Sequence, residues 1–256
     1  MNPLLQTRGI SVQFGGLVAV NAVDVAIPEG VIHGVIGPNG AGKTTFFNAI
    51  TGLAGLSSGS IAFDGQDITR EPPFRRARLG MRRTFQSVQL IPQFTVLENV
   101  LIGLHDHIRG NLLRSLLSLS GRDRAEEDAQ ERVVQVLRFL GIEHTLFKRP
   151  VELSFAEQRF VEIARALVAK PKLLMLDEPA AGLSPNEVAS LNALLRRVRA
   201  ESVVTVILVE HVLSLVFDVS DRITVFENGR VIAEGAPAEV EADPKVKAAY
   251  LGNEHA

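Results

Sequence analysis

The apolar and polar positions of this chain change period several times, and each period predicts a different element. Residues 4–27 alternate apolar and polar side chains on either side of Gly15 and Gly16. This period of two predicts antiparallel strands joined by a tight turn. A further short strand is predicted at residues 61–63, so we expect a small antiparallel sheet early in the chain.

Longer apolar runs and helical patterns alternate through the remaining residues. Continuous apolar runs predict buried strands at residues 31–36, 173–176 and 203–209. Helical spacing predicts helices at residues 44–51, 95–104, 125–140, 154–169 and 185–198. A final hairpin is predicted at residues 223–233. Alternation of strand and helix is typical of the α/β class, in which a parallel sheet binds ligands at the carboxyl ends of its strands.

Composition excludes several classes of function. The 256 residues include no cysteine, which excludes disulfides and thiolate metal sites and suits a reducing cytoplasm. A formal charge of −2 indicates no general attraction to nucleic acid, and the six histidines show no metal-ligand spacing. The first residues lack the apolar centre of a signal peptide. The longest apolar run is far shorter than the roughly 18 to 20 residues that a spanning helix needs, so we expect any membrane role to be peripheral.

A glycine-rich segment follows the first buried strand and is expected to bind phosphate. It has the form G-x-x-x-x-G-K-[ST] and joins a predicted strand to the N-terminus of a predicted helix. The N–H groups of such a loop cradle phosphates, its lysine reaches the outer phosphates, and the next hydroxyl is placed to ligate Mg²⁺. We call this segment the phosphate loop; it comprises Gly37, Pro38, Asn39, Gly40, Ala41, Gly42, Lys43, Thr44 and Thr45.

Two carboxylates, Asp177 and Glu178, end one of the buried apolar strands. Charge at such a position is costly unless it meets a metal or solvent, so a functional role is favoured. Glu210 and His211 stand at the end of the next predicted strand. A parallel sheet would bring these strand ends and the phosphate loop to one ligand-binding edge.

Several features have both a functional and a structural interpretation. Phe14, beside the Gly-Gly turn, is either a ring that stacks on a purine base or an ordinary residue of the sheet core. Six arginines in residues 70–83 form either a solvated face or a docking surface for an acidic partner, with nucleic acid as a weaker alternative. Ser154 and Glu157 match a helix capping box, which explains both without further function. Residues 105–120 are expected to form a short amphipathic insert.

Together these features resemble the ATP-binding subunit of an ABC transporter, and the resemblance covers essentially the whole chain. The phosphate loop is similar to the Walker A motif, Gln86 to the Q-loop, residues 153–158 to the LSGGQ-type signature, residues 173–178 to Walker B and His211 to the switch histidine. Phe14 lies where the family has its adenine-stacking aromatic residue. Residues 178–183, the insert around residues 105–125 and the ending at residues 243–252 most resemble ATPases of branched-chain amino acid importers.

The resemblance implies a P-loop NTPase core of the ABC ATPase type, with a parallel sheet, an antiparallel β-subdomain and an α-helical subdomain. One domain would span residues 1–256. Residues 1–94 and 170–256 would form the nucleotide-binding core with the β-subdomain, and residues 95–169 would form the helical subdomain that includes the signature.

The resemblance also implies ATP hydrolysis with Mg²⁺ as cofactor. Lys43 and the loop amides would hold the β- and γ-phosphates of ATP. Thr44, Gln86 and Asp177 would hold Mg²⁺, with Asp177 bound directly or through water.

The same resemblance assigns catalysis and partners. Glu178 would orient and deprotonate the attacking water, His211 would contact the γ-phosphate, and Ser154 would cover the ATP of a second ATP-binding subunit in a homo- or heterodimer. Membrane permease subunits would be direct partners and a solute-binding protein an indirect one, with no nucleic acid involved. Such a subunit would lie in the cytoplasm, on the inner face of the cell membrane.

Two positions depart from the family pattern. Ala156 stands where the signature usually has glycine, and Ser184 stands where the loop after Walker B usually carries Asp or Asn. Both positions face the second subunit in the family, so the departures bear on the geometry between subunits.

Two other functions compete with transport. A soluble ABC-type ATPase acting on nucleic acid or ribosomes would use residues 70–83 as its contact, although such proteins usually carry two cassettes or long coiled coils. A nucleotide-gated interaction module that has lost turnover is made conceivable by Ala156. Against it stand Lys43, Asp177, Glu178 and His211.

Overall fold

The computed structural model of the chain describes residues 3–104, 124–201 and 204–251. The insert predicted at residues 105–120 lies outside these ranges. The strands are β1 (Leu5–Phe14), β2 (Leu17–Ile27), β3 (Ile32–Ile36), β4 (Ser58–Phe63), β5 (Gln66–Asp67), β6 (Met81–Arg83), β7 (Leu173–Asp177), β8 (Thr205–Val209), β9 (Arg222–Glu227) and β10 (Arg230–Gly235). The α-helices are α1 (Lys43–Thr51), α2 (Pro73–Arg78), α3 (Val96–Leu101), α4 (Arg124–Phe139), α5 (Phe155–Leu167), α6 (Pro185–Glu201), α7 (Leu213–Val219), α8 (Pro237–Ala242) and α9 (Pro244–Leu251).

The strands form two sheets. An antiparallel sheet has the order β2-β1-β4-β5, which confirms the early antiparallel sheet predicted from the period of two. A six-stranded sheet has the order β10-β9-β3-β8-β7-β6, and its strands are parallel except for β10. The chain therefore has the predicted α/β class.

The six-stranded sheet is covered on both faces. On one face, Ile36, Leu176 and Leu208 belong to a hydrophobic core that includes residues of α3 to α7. On the other face, Val35 and Met175 belong to a second core, which includes α1 and the inward side chains of the antiparallel sheet. Because neighbouring residues of a strand point to opposite faces, each continuous apolar run supplies both cores, as expected for a buried parallel strand.

The helices between β6 and β7 pack on one another. Thr95 caps α3 in a capping box with Glu98, and α3 contacts both α4 and α5. Three short 3₁₀ segments, Ile102–Leu104, Glu143–Thr145 and Pro150–Glu152, flank these helices. The division of the chain at residues 95 and 169 stays a prediction. Within the described parts of the chain, no helix combines the length and apolar composition needed to cross a membrane.

The arginine-rich segment is only partly the solvated face that its charge indicates, because Arg70, Arg75 and Arg78 are exposed whereas Arg76 is buried. It folds into α2 and the edge strand β6, neither of which the sequence pattern predicts. Arg76 is buried and donates hydrogen bonds to the carbonyl oxygens of Ala49 (2.8 Å) and Ile50 (2.6 Å) at the C-terminal end of α1. Arg83 is also largely buried and binds Asp177. The solvated-face interpretation is therefore wrong for these two arginines, because they satisfy backbone and carboxylate oxygens inside the molecule.

Candidate functional site

The phosphate loop leaves β3 and enters α1 through two glycines that no other residue could replace without strain. A Cβ atom on Gly37 would lie 2.2 Å from the carbonyl oxygen of Phe226, and one on Gly42 would lie 2.4 Å from that of Ala19. Gly42 is the N-cap of α1 with a φ of 102° and offers no side-chain cap. The first N–H groups of α1 therefore point into the loop, where they can bind an anion.

Lys43 is held inside this loop. Its ammonium group donates hydrogen bonds to the carbonyl oxygens of Gly37 (2.6 Å) and Pro38 (2.9 Å), and the side chain is buried. Burial lowers the pKa of Lys43, whereas the charges of Glu178 and Asp177 oppose that shift. The loop thus presents a positive charge next to its amides and opposite two carboxylates.

Asp177 forms an ion pair that the sequence pattern did not predict. Arg83 on β6 donates to the Asp177 carboxylate at 2.6 Å and to the Asn48 side chain of α1, also at 2.6 Å. The Arg83 guanidinium also lies over the rings of Phe47 and Phe85, each 5.4 Å from the ring centroid. Arg83 therefore orients the carboxylate at the end of β7.

Glu178, at the end of the segment similar to Walker B, contacts both the Q-loop residue and the histidine after β8. Its backbone has a φ of +48°, a left-handed conformation that is costly for a residue with a side chain and that occurs at functional sites. The Gln86 amide donates to one carboxylate oxygen at 2.7 Å, and the His211 Nε2 lies 3.0 Å from the other. The turn after β7 therefore aims Glu178 between the Q-loop residue and the histidine that follows β8.

Glu210 ties the loops after β7 and β8 together. The carboxylate is buried and accepts hydrogen bonds from the backbone N–H groups of Ala180 and of His211, the latter at 2.9 Å. Burial raises the pKa of Glu210. Sequence reasoning placed Glu210 at the strand end but gave it no role, because its partner Ala180 is 30 residues away along the chain.

A cleft of about 450 Å³ lies over the phosphate loop. Glu178 and His211 line it, and Phe14 and Leu17 from the β1–β2 hairpin line it as well. Phe14 is 56% exposed, so its interpretation as a residue of the sheet core is wrong. The cleft thus has a charged end at Lys43 and Glu178 and an apolar end at the hairpin.

The signature segment does not reach this cleft within one chain. Ser154 caps α5 and forms the predicted capping box with Glu157, and neither it nor Ala156 lines the cleft. Ser184, the other departure from the family pattern, donates to the Glu187 carboxylate at the start of α6. The structure thus brings most predicted site residues together and leaves Ser154 apart from them.

The donor set near the loop fits Mg²⁺. The Thr44 hydroxyl, the Asp177 carboxylate and the Gln86 amide are oxygen ligands of the kind that Mg²⁺ prefers. In the described ranges, no group of three His, Cys, Asp or Glu side chains is arranged to hold a metal by itself. This arrangement suits an ion that is held mainly through the phosphates of a nucleotide rather than by a cage of protein ligands.

A phosphate loop between β3 and α1, with carboxylates at the ends of nearby parallel strands, defines a P-loop nucleotide hydrolase. The family described as ABC transporter matches residues 20–181, and the family described as branched-chain amino acid ATP-binding cassette transporter matches residues 230–256. The chain belongs to the ABC transporter family and is an ATPase of that type.

Individual relatives support this membership over the full length. The chain is 41% identical over 250 residues to the high-affinity branched-chain amino acid transport ATP-binding protein BraF of Pseudomonas aeruginosa, covering 98% of both chains. A crystal structure of the ADP conformation of an ATP-binding cassette of an ABC transporter has a TM-score of 0.85 and 34% identity, and the match covers 98% of this chain and 100% of that one. A dimeric cassette bound to ADP and Pi has a TM-score of 0.76 and 26% identity, with 91% and 98% coverage.

Proposed function

We propose that this chain is the ATP-binding and ATP-hydrolysing subunit that energises the import of branched-chain or related amino acids by an ABC transporter. The observation that carries the proposal is the position of Glu178, held by Gln86 and His211 at the mouth of the phosphate-loop cleft. The full-length similarity to a branched-chain amino acid transport ATP-binding protein supports the substrate class.

ATP would lie with its phosphates on the loop and its base at the hairpin. The N–H groups of residues 40–44 and the ammonium of Lys43 bind the β- and γ-phosphates, once Lys43 releases the carbonyl oxygens of Gly37 and Pro38. Phe14 stacks on the adenine, since its exposed ring lines the same cleft.

Hydrolysis needs an aligned water and a base that accepts its proton. The Glu178 carboxylate takes a proton from the water as the water oxygen bonds to the γ-phosphorus and the bond to the β–γ bridging oxygen breaks. His211 keeps Glu178 in place and contacts the γ-phosphate. Thr44, Asp177 and Gln86 would hold Mg²⁺, which supplies charge neutralisation at the phosphates.

A second subunit completes the site in this proposal. Ser154 stands apart from the cleft of its own chain, so it is available to cover the γ-phosphate bound by a partner cassette. The dimeric cassette found among the similar structures supports such an arrangement. Permease subunits in the cytoplasmic membrane are the direct partners of the dimer, and a solute-binding protein acts through them.

The competing function on nucleic acid or ribosomes is weakened, because two of the six arginines in its proposed contact do not face solvent. Arg76 and Arg83 are committed to interior oxygens, and Arg75 pairs with Glu71 at 3.4 Å. The similar proteins described above are transport subunits and transporter cassettes, which favours transport.

The test is Glu178→Gln in the complex assembled with its permeases. The variant keeps the shape and the hydrogen bond to Gln86 but lacks the base, so hydrolysis should fall about 10²- to 10⁴-fold while ATP binding persists. The exposed Glu127 of α4 offers a control, because Glu127→Gln should leave the rate unchanged. A wild-type rate in Glu178→Gln would remove Glu178 as the base, and co-purification with ribosomes instead of permeases would favour the competing function.

A further inference from the structure

One face of α5 carries three charged residues that hold the Q-loop segment, residues 85–89. Arg159, Glu162 and Arg165 follow one another at intervals of three residues, so their side chains leave the same side of the helix. Gln86, whose side chain binds Glu178, belongs to the segment that they hold.

Arg159 makes the central contacts. It is 0% exposed and the largest fully buried side chain among the described residues. Its guanidinium donates to the carbonyl oxygen of Phe85 at 2.9 Å and to that of Gln86 at 2.7 Å. It also donates to Glu162 at 3.1 Å, so its charge is compensated inside the molecule.

Glu162 and Arg165 hold the same segment by complementary groups. The Glu162 carboxylate is 1% exposed and accepts the hydrogen bond from Arg159. The backbone N–H groups of Phe85 and Gln89 oppose the rise in the pKa of Glu162 that burial causes. Arg165 donates to the carbonyl oxygen of Gln89 and lies 3.7 Å from Glu162. The carbonyl oxygens of Phe85, Gln86 and Gln89 are thus bound by one helix.

Helix α5 also carries the signature at its N-terminus. Ser154 caps the helix, and the Phe155 ring lies beside Gly182 in the loop after β7, where a Cβ atom added to Gly182 would be 3.1 Å from the ring. The ring of Phe155 lies 5.7 Å from the Arg159 guanidinium. One rigid helix therefore joins the Q-loop backbone to Ser154.

An apolar contact would be the simpler way to attach a loop to a helix. Buried charges are costly unless they are paired and hydrogen-bonded, and their hydrogen bonds fix one geometry and forbid sliding. Arg159 and Arg165, with directed bonds to three backbone carbonyl groups, give the loop one register on α5.

We propose that Arg159 and Glu162 are positioning residues that fix Gln86 against Glu178 and make any movement of the Q-loop a movement of the signature helix. The proposal rests on the proposed function, because it assumes that Gln86 and Ser154 act on ATP. Loss of either positioning residue should uncouple the two motifs while leaving the phosphate loop intact.

The experiment compares Arg159→Met, Arg159→Lys and Glu162→Met with the control Arg138→Met. Arg138 lies on α4 and pairs with Glu143 at the surface, so its loss removes an arginine of similar size without touching the Q-loop. Hydrogen exchange of residues 84–90 is measured on the nucleotide-free full chain. MgATP affinity is measured on the same chain, and kcat and KM are measured in the assembled complex.

Exchange of residues 84–90 should become at least about ten-fold faster in both Met variants and stay unchanged in Arg138→Met. The value of kcat should fall about ten- to a hundred-fold, as for groups that orient metal ligands, with KM and ATP affinity close to wild type. Arg159→Lys, which keeps one donor and the charge, should recover part of both effects.

Unchanged exchange in the Met variants would overturn the attachment of residues 85–89 to α5 by these side chains. Faster exchange with a wild-type kcat would overturn their role in positioning Gln86. If a Met variant fails to fold, Arg159→Lys decides: a wild-type kcat together with faster exchange overturns the proposal. Failure of the wild-type chain to bind MgATP would instead overturn the proposed function, because the exchange measurement requires no nucleotide.

Discussion

Phe14 projects an exposed ring beside the cleft, paired with Leu17 across the β1–β2 hairpin. Phe14→Ala should weaken ATP binding by about 1 to 3 kcal/mol, which is the range for stacking of a base on an aromatic side chain. Folding should be unaffected because more than half of the ring is exposed. Calorimetric titration with ATP measures the effect.

Phe147 supplies the matched control for this prediction. It is 77% exposed and lies outside the cleft, so Phe147→Ala removes an exposed ring without touching the nucleotide. Equal ATP affinities for Phe14→Ala and Phe147→Ala would show that the ring does not stack on the base.

His33 makes the stability of the chain depend on pH. It is buried in β3, its Nε2 lies 2.7 Å from the Thr224 hydroxyl, and its Nδ1 has no partner. Burial, with the charge of Arg222 as the smaller cause, lowers the pKa of His33 from 6.5 to about 4. The neutral form is therefore favoured in the folded state.

Below pH 6.5 the unfolded chain binds a proton at His33 that the folded chain does not bind until about pH 4. The contribution of neutral His33 to stability is thus fully present above pH 6.5 and is lost as the pH falls toward 4. The contribution of His33 should amount to about 2 kcal/mol between pH 7.5 and 5. Urea unfolding at both pH values measures it, and His33→Gln should show a smaller loss by that amount. An equal loss in both proteins would remove His33 as the cause.

Helix α1 depends on an arginine from a neighbouring element. Arg76 binds the carbonyl oxygens of Ala49 and Ile50 in the last turn of α1, and also those of Thr69 and Glu71. Arg76→Met should lower the free energy of unfolding by about 3 kcal/mol, because it leaves buried carbonyl groups without donors. Arg75→Met, at the exposed neighbouring position, should change it by less than about 0.5 kcal/mol. Urea unfolding measures the free energy of unfolding of both variants. Similar losses in the two would contradict the role of Arg76 at the C-terminal end of α1.

The elements that the sequence predicted are those with a clear period or cap. The β1–β2 hairpin, α1 with its C-terminal Gly52 and the buried strands β3, β7 and β8 are confirmed. Helix α2 and strand β6 were missed because their arginines indicate solvent, whereas tertiary hydrogen bonds bury Arg76 and Arg83.

The residues of the candidate site likewise divide into those that the sequence predicted and those that it did not. The phosphate loop, Asp177, Glu178 and His211 were recognisable because each belongs to a local motif. The ion pair of Arg83 joins residues 94 positions apart, and the bond from Arg159 to Gln86 spans 73 positions. No local sequence pattern predicts such pairs, because only the tertiary fold brings their elements together.

Across the whole molecule, the sheet order places β3 beside β8 and β8 beside β7. The phosphate loop, His211 and Glu178 therefore emerge at one edge of the sheet. Ser154, at the start of α5, stays outside the cleft that these residues line. Under the proposed function, a single chain would bind ATP with one γ-phosphate contact missing, and two chains in opposite orientation would supply it to each other.

This arrangement predicts a dimer that depends on ATP. Glu178→Gln should form it in MgATP and revert to a monomer in MgADP, because the uncleaved γ-phosphate holds Ser154 of the opposite chain. Light scattering measures the mass in both nucleotides.

Ser154→Asp, added to Glu178→Gln, separates the contact from the fold. Aspartate caps a helix about as well as serine, so the melting temperature of the monomer should stay close to that of the parent. Its negative charge would face the γ-phosphate across the interface, where like charges repel, so the MgATP dimer should weaken at least about ten-fold. Ser154→Thr keeps both the cap and the hydroxyl and should dimerise more strongly than Ser154→Asp. If Ser154→Asp dimerised as well as the parent while binding MgATP equally, Ser154 would have no contact with the phosphate, and the dimer would have to be held by other residues.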